Sequence, residues 1–326
     1  MRVLFVCSGN SKYFDITPII KSQADSLINE SVYVDILAVR GRGYKGYWKN
    51  IWIIRRKIES GKYDIIHAHY GLCGIISYVA LRTVKKRTIK NLPVVVSLMG
   101  SDVNSSKILH ILNVIFIKKL WDATIVKSSS MKHKLGISIP VVIPNGVDID
   151  VFKPIDRELC RDTLSWKPND HLILFGADPS RAVKNFSLAK SSYNMLIEGN
   201  PKLISMKIEL ITLGSIPHEI IPLYLNACDV LLLTSMWEGS PNIIKEAMAC
   251  NIPIVCTDVG DVKWLLDGVE GCYITSQNPN EIADKLYIAL SYNKRTTGRE
   301  RLIQLGLDST TVAQKVIKIY ENVLNK

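Results

Sequence analysis

Residues 229–258 read DVLLLTSMWEGSPNIIKEAMACNIPIVCTD. DVLLLTS is an apolar run of strand length that fits a strand buried on both faces, and IPIVCTD is a second one. Between them PNIIKEAMAC has helical character, with Ser240 expected as its N-cap and Pro241 as its first residue. Asn251 is expected to take the left-handed conformation at the helix end, and Pro253 prevents continuation. Strand, tight loop, helix and strand in this order form a βαβ unit, so the two strands should be parallel.

The alternation extends outward through the chain. VYVDILAV, YDIIHAH, PVVVSLMG, ATIVKS and VVIP read as strands separated by helical patterns, and IELITLG and GCYITS continue the series in the second half. RVLFVCSGN, from Arg2, is an apolar strand ending in a Ser-Gly turn, and HLILFGADPS, from His171, repeats that design. Each reads as the first strand of a new sheet. The expected fold class is therefore α/β, with two Rossmann-like, doubly wound parallel-sheet domains. The join lies in VVIPNGVDIDVFKPIDRELC, where Pro-Asn-Gly makes a turn. This gives domains at 1–150 and 151–308, followed by a helix at 309–326. That helix carries an apolar stripe at Val312, Val316, Ile319, Tyr320 and Val323 and is expected to pack back toward the first domain. In such sheets ligands gather beyond the carboxyl ends of the strands, and a cleft between the two domains is the expected active site.

Composition narrows the function. Of 326 residues, 47% are hydrophobic and 22% charged, the balance of an ordinary globular chain. The longest apolar stretches, GLCGIISYVAL and ILHILNVIFI, fall short of the roughly 18 residues that span a bilayer. The apolar amino terminus is too short for a secretory signal, so a cytoplasmic protein is expected. Seven cysteines without a CxxC pair suit free, packed thiols. The net charge of +11 is one-sided: residues 1–150 hold 22 Lys+Arg against 10 Asp+Glu, and the remainder 19 against 20. A basic first half implies an anionic partner, such as phospholipid headgroups, a phosphate-bearing substrate or nucleic acid. No nucleic-acid module is recognisable, which leaves the first two.

Within the opening stretch, Gly239 allows close backbone approach to a ligand. The free amides near Asn242 and Ile243, with the helix dipole, favour an anion such as phosphate. Glu238 lies in the loop and Glu246 about a turn and a half into the helix, so they serve different parts of one ligand. Their carboxylates suit the hydroxyls of a ribose or a hexose. The plain alternative is a solvent-facing helix with two exposed acids.

Four other patterns compete for attention. GRGYKG, from Gly41, matches GxGxxG but follows the second strand and carries Arg, Tyr and Lys as spacers, against a dinucleotide loop. DID at 148–150 belongs to the interdomain segment rather than to a metal site. His67 and His69 share one face of a strand end but lack a third ligand nearby. RGRGYKGYWKNIWIIRRK mixes cations with Tyr44, Tyr47, Trp48 and Trp52, a combination suited to a headgroup boundary or an anionic acceptor.

The segment from Glu238 to Glu246 resembles the glutamate-x7-glutamate motif of the retaining glycosyltransferases of family 4, which have the two-domain GT-B fold. VIPNGVDIDVF is similar to the family's interdomain segment, YDIIHAH to its DxxHxH strand end, and SRAVKN to its Arg-x-x-Lys phosphate-binding stretch. MGSDV is similar to its first-domain acceptor-side loop and IPLYLNACDVLLLTS to the strand before the motif. The resemblance implies that Glu246 binds the ribose of a nucleotide-sugar donor, that Glu238 holds hydroxyls of the transferred sugar, and that Arg181 and Lys184 take the diphosphate. Gly239, Ser240, Pro241, Asn242 and Ile243 complete the donor side. Gly9, His69, Ser101 and Asp102 are the acceptor-side candidates, Asp102 having an N-cap role as its alternative. No metal or other cofactor is expected. Three positions depart from the family pattern: Met99 stands where His is frequent, Ser240 where an aromatic is frequent, and Asn251 where Gly is frequent. A contact of the missing His could fall to His69.

The expected function is transfer of a sugar, with retention, from a nucleoside-diphosphate-sugar donor to a hydroxyl of a glycan or lipid-linked acceptor, at the inner membrane surface in bacterial polysaccharide assembly. A nucleotide-sugar epimerase is the enzymatic alternative, and Met99 motivates a catalytically silent nucleotide-sugar-binding scaffold.

Overall fold

The computed structural model describes residues 1–11, 14–41, 43–85, 91–104, 107–200, 207–214 and 216–326; Arg42, within GRGYKG, lies outside them. The chain divides into two compact units, Met1–Gly146 with Ser309–Lys326, and Val147–Asp308. The boundary thus falls before Val147 rather than at 150. The Val147 amide donates to the Leu307 carbonyl at 2.9 Å, and Val147 and Phe152 both enter the second unit's core.

The first unit holds β1 (Arg2–Ser8), β2 (Tyr33–Val39), β3 (Ile65–His69), β4 (Val94–Ser97), β5 (Ala123–Val126) and β6 (Val141–Val142) in the spatial order β2-β1-β3-β4-β5-β6. The second holds β7 (His171–Phe175), β8 (Ile208–Thr212), β9 (Val230–Leu233), β10 (Ile254–Thr257) and β11 (Cys272–Thr275) in the order β11-β10-β9-β7-β8. Every strand pair is parallel. The all-apolar runs arise from this arrangement, because helices cover both faces of central strands. In each sheet the chain moves to one side of its first strand and then to the other. The loops after β1 and β3, and those after β7 and β9, therefore diverge at a switch point, where a crevice opens for a ligand.

The helix Ser309–Leu324 buries Val312, Ala313, Val316, Tyr320 and Val323 in one cluster with Val3, Phe5, Ile65, Val95 and Ile125 of the first sheet. It also packs along the helix Pro18–Asn29. The Tyr320 hydroxyl reaches His67 Nδ1 at 2.6 Å, and His67 Nε2 lies 2.9 Å from Ser97 Oγ. His67 is thus a satisfied core histidine.

The helix in the opening stretch runs from Asn242 to Ala249, with Pro241 rather than Ser240 at the N-cap position and no side-chain cap there. Pro241 has ψ of 115°, an extended backbone that turns the chain into the helix without needing a hydroxyl acceptor. At the other end Asn251 takes φ of +57°. The amides of Asn251 and Ile252 bond to the carbonyls of Met248 and Ala247 at 3.0 and 3.2 Å, the paired closure of a Schellman end.

These contacts can be probed by substitution. Tyr320→Phe should lower the first unit's stability in urea unfolding by about 1 kcal/mol through loss of the His67 hydrogen bond, whereas Tyr320→Ala should cost about 3–5 kcal/mol through the cavity it leaves; equal losses would mean that the C-terminal helix is not packed as described. Gly260 and Gly268 both have positive φ, but an added Cβ at Gly260 would lie 2.9 Å from the Gly239 carbonyl oxygen, while at Gly268 it would meet nothing within 4 Å. Gly268→Ala should cost about 1–2 kcal/mol of backbone strain, and Gly260→Ala more, read as a lower melting temperature.

Candidate functional site

The second unit's switch point gathers the residues singled out around Glu238. After β7 the chain passes Gly176, where a Cβ would lie 3.0 Å from Ile243 Cγ1. The end of β7 is therefore seated against the first turn of the helix Asn242–Ala249. The chain then forms a 3₁₀ turn, Ala182–Lys184, which is fastened to the end of β9. Thr234 Oγ1 donates to the carbonyls of Lys184 and Asn185 at 3.1 and 3.0 Å, and the Met236 amide donates to Val183 O at 2.9 Å.

This fastening brings Lys184 onto Glu238. Lys184 Nζ forms an ion pair with Glu238 Oε1, and Ser235 Oγ donates to the same oxygen at 2.8 Å. Both side chains are mostly withdrawn from water, with 10% and 17% of their surface exposed. Arg181, three residues before Lys184, is exposed on the same loop and starts its turn, its carbonyl accepting from the Lys184 amide at 2.8 Å. Gly239 is buried under the loop carrying Gly260, Pro241 is buried, and Ser240 and Asn242 are half-buried.

The helix is not a solvent-facing one. Ile243 through Ala249 are all buried, and Glu246 among them keeps 8% of its surface. A carboxylate that far from water requires a partner. It finds one in His218, whose Nε2 lies 3.1 Å from Glu246 Oε1. The neighbouring Lys245 is fully buried, and burial pulls its pKa down to about 8 against the opposing charges of Asp261 and Glu246.

Chemically, the site offers two basic side chains on one loop, a helix amino terminus beside them, and two acids at different depths. A cation and helix amides attract a diphosphate, and acids accept from sugar hydroxyls. Ser235, His218 and the buried Lys245 carry no sequence motif. Ser235 is detectable as the last polar residue of an apolar strand; His218 sits in an irregular loop, and nothing in its spacing points to Glu246.

In the first unit the corresponding strand ends are arranged differently from expectation. His69 is 1% exposed, its ring centroid 4.4 Å from that of Phe5 and 4.3 Å from that of His67, tilted by 55° and 31°. Burial, with Lys127 nearby, lowers its pKa to about 3, so it is neutral. It lies on the central strand β3, withdrawn from solvent, and both of its ring nitrogens are buried without a hydrogen-bond partner among the described residues. Asp102 is fully buried as well: Oδ1 accepts from the Gly71 amide at 2.8 Å and Oδ2 from the Met99 amide at 2.5 Å. Burial outweighs those two bonds and pushes its carboxyl up to about 7. It thus ties the start of the earlier helix Gly71–Arg82 to the β4 turn, and it lies within the short helix Gly100–Asn104 rather than at the N-cap of a following one. Gly9 is half-buried directly after β1, and Ser101 is half-buried in the short helix Gly100–Asn104 that follows β4. Tyr70, directly after β3, has φ of +100°, a strained backbone for an aromatic residue of the kind that collects at functional sites.

Known proteins share this fold. The model of Glycosyltransferase Family 4 matches residues 3–151, and that of Glycosyl transferases group 1 matches residues 170–291. The putative teichuronic acid biosynthesis glycosyltransferase TuaC of Bacillus subtilis is 25% identical over 249 residues, covering 68% of this chain and 60% of that protein. The N,N'-diacetylbacillosaminyl-diphospho-undecaprenol alpha-1,3-N-acetylgalactosaminyltransferase of Campylobacter jejuni is 27% identical over 223 residues, covering 60% of this chain and 58% of that protein. The match therefore spans about three fifths of either relative. Among solved structures, sucrose-phosphate synthase of Thermosynechococcus elongatus aligns with a TM-score of 0.78 at 15% identity over 99% of both chains. Anabaena HepE in complex with UDP aligns with 0.71 at 16% over 99% of this chain and 100% of that one. With a family model on each half, two parallel Rossmann-like sheets and the Glu238–Glu246 spacing in place, the chain belongs to the family 4 glycosyltransferases of group 1 and carries their GT-B fold.

Proposed function

We propose that this protein transfers a sugar from a nucleoside-diphosphate-sugar donor to a hydroxyl of a glycan or lipid-linked acceptor, with retention of anomeric configuration, in bacterial surface polysaccharide assembly. The observation that carries the reading is the meeting of Lys184, Glu238 and the first turn of the helix Asn242–Ala249 at one switch point, with buried Glu246 further along that helix. In this reading Glu246 holds the ribose hydroxyls. Glu238 holds hydroxyls of the transferred sugar, and Arg181, Lys184 and the helix amides receive the diphosphate. The acceptor oxygen bonds to the anomeric carbon as the bond to the β-phosphate oxygen breaks, and the acceptor proton passes to the departing diphosphate on the same face. Negative charge grows on that leaving group in the transition state, where fixed cations and amides lower its energy most.

The first unit takes the acceptor in this reading, at an anionic membrane surface. Two features support it besides the basic first half. The helix Lys107–Lys119 exposes Ile108, Ile111 and Ile115 on one stripe and ends in Lys118 and Lys119. Trp48, Trp52 and Ile53 are also exposed, and the helix that carries Trp52 and Ile53 packs on the helix Gly71–Arg82, as does Lys107–Lys119. Apolar side chains beside lysines suit the boundary between headgroups and acyl chains.

Two expected outcomes test the proposal. Glu246→Ala should weaken nucleoside diphosphate binding roughly ten-fold or more in calorimetry, while Glu238→Ala should mainly slow transfer, by roughly a hundred-fold; unchanged affinity and turnover in both would refute the assignment, and conversion of donor without acceptor would favour an epimerase. The double variant Ile111→Glu/Ile115→Glu should lose sedimentation with vesicles containing phosphatidylglycerol, at least roughly ten-fold, with its donor affinity intact. Unchanged sedimentation would remove this helix from the membrane reading.

A further inference from the structure

The His218–Glu246 contact belongs to no sequence motif. His218 opens a short turn, His218–Ile220, between β8 and the helix Ile221–Ala227. Its ring packs against Phe152, with centroids 5.4 Å apart and planes at 60°. Phe152 is buried at 3% exposure, so one side of the imidazole is backed by a fixed apolar wall while Nε2 points at Glu246. Only a nitrogen bearing a proton is stable at 3.1 Å from a carboxylate oxygen, so Nε2 is the donor. Among the described residues no other side chain or amide hydrogen-bonds to the Glu246 carboxylate. One of about four lone-pair sites is therefore occupied, leaving room for two hydroxyls.

We propose that His218 is a positioning residue for the nucleoside half of the donor, its Nε2–H fixing the Glu246 carboxylate toward the ribose hydroxyls and its protonated form adding attraction for the anionic nucleotide. This rests on the reading that Glu246 holds the ribose. A glutamate side chain has three rotatable torsions, and without the imidazole its carboxylate would have to be ordered at the moment of binding. With the imidazole and Phe152 in place that ordering is done beforehand, which raises affinity without new ligand contacts. The charged groups facing the ring are Glu246, from the helix Asn242–Ala249, and Glu219, from its own turn; Lys245 adds an opposing charge near Glu246. Burial lowers the His218 pKa, but the hydrogen bond and charge of Glu246, with the charge of Glu219, outweigh it and hold it above its ordinary 6.5. The imidazolium is thus present below that raised value and is lost as pH rises through it.

The test is titration calorimetry of the intact protein with UDP, and in parallel with GDP and ADP, taking the tightest binder through pH with wild type, His218→Ala, His218→Gln and Glu246→Ala. His218→Ala should bind roughly ten-fold more weakly, the scale of a hydrogen bond to a charged group. His218→Gln keeps an N–H donor but does not titrate, so at high pH it should recover most of the lost affinity. The ratio of its dissociation constant to that of wild type should then grow as pH falls from about 8.5 to about 5.5. Protonation of the nucleotide itself cancels in that ratio. If both His218 variants keep wild-type affinity at every pH while Glu246→Ala weakens binding, the inference is overturned and the role of Glu246 stands. If Glu246→Ala binds as wild type does, the reading of Glu246 fails, and this inference with it.

Discussion

Lys184 and Glu238 are 54 residues apart, yet they form an ion pair because β7 and β9 are neighbours in a parallel sheet whose chain order reverses between them. The rest of the donor side depends on that constraint. Two loops leaving adjacent strands in opposite directions cannot cover each other, so polar side chains at their roots face a shared crevice rather than a core. The Thr234 hydroxyl on the Lys184 and Asn185 carbonyls converts this topological proximity into a fixed geometry.

The charges placed there are costly to hold. A half-dry ion pair loses hydration that its own attraction only partly returns, and Ser235 adds a hydrogen bond that offsets part of the difference. Glu246 is deeper, and only His218 compensates it among the described hydrogen bonds. A protein selected for stability alone would fill such positions with apolar side chains. Acids and cations held at different depths around a helix amino terminus support the proposed reading of a ligand that carries both phosphate and hydroxyls.

Much of this is legible in the amino-acid sequence. Apolar strands such as DVLLLTS and IPIVCTD announce themselves because burial on both faces removes polar alternation. Asn251 is readable as the helix end, since few residues accept a left-handed backbone and Pro253 follows. The two glutamates are readable by spacing and by family resemblance. The features that escape sequence reasoning are those set by tertiary contact. His69 and Asp102 look like open strand-end residues in sequence, but the burial of His69 at the centre of the first sheet, and the two backbone amides gathered on Asp102, are not local properties. Ser240 has the chemistry of a natural cap, yet Pro241 takes that position with its own extended backbone. His218 lies 28 residues from Glu246 in an aperiodic turn, and no local rule connects them.

The central claim is that the crevice beside β7 and β9 receives a nucleoside diphosphate. A crystal structure of the protein with UDP-glucose or another bound nucleotide sugar tests it most directly. The account predicts the diphosphate against Lys184 Nζ and the amides at Asn242 and Ile243, with both ribose hydroxyls on Glu246. A nucleotide held elsewhere in the second unit, with Lys184 still closed on Glu238 and the first turn of the helix untouched, would contradict it.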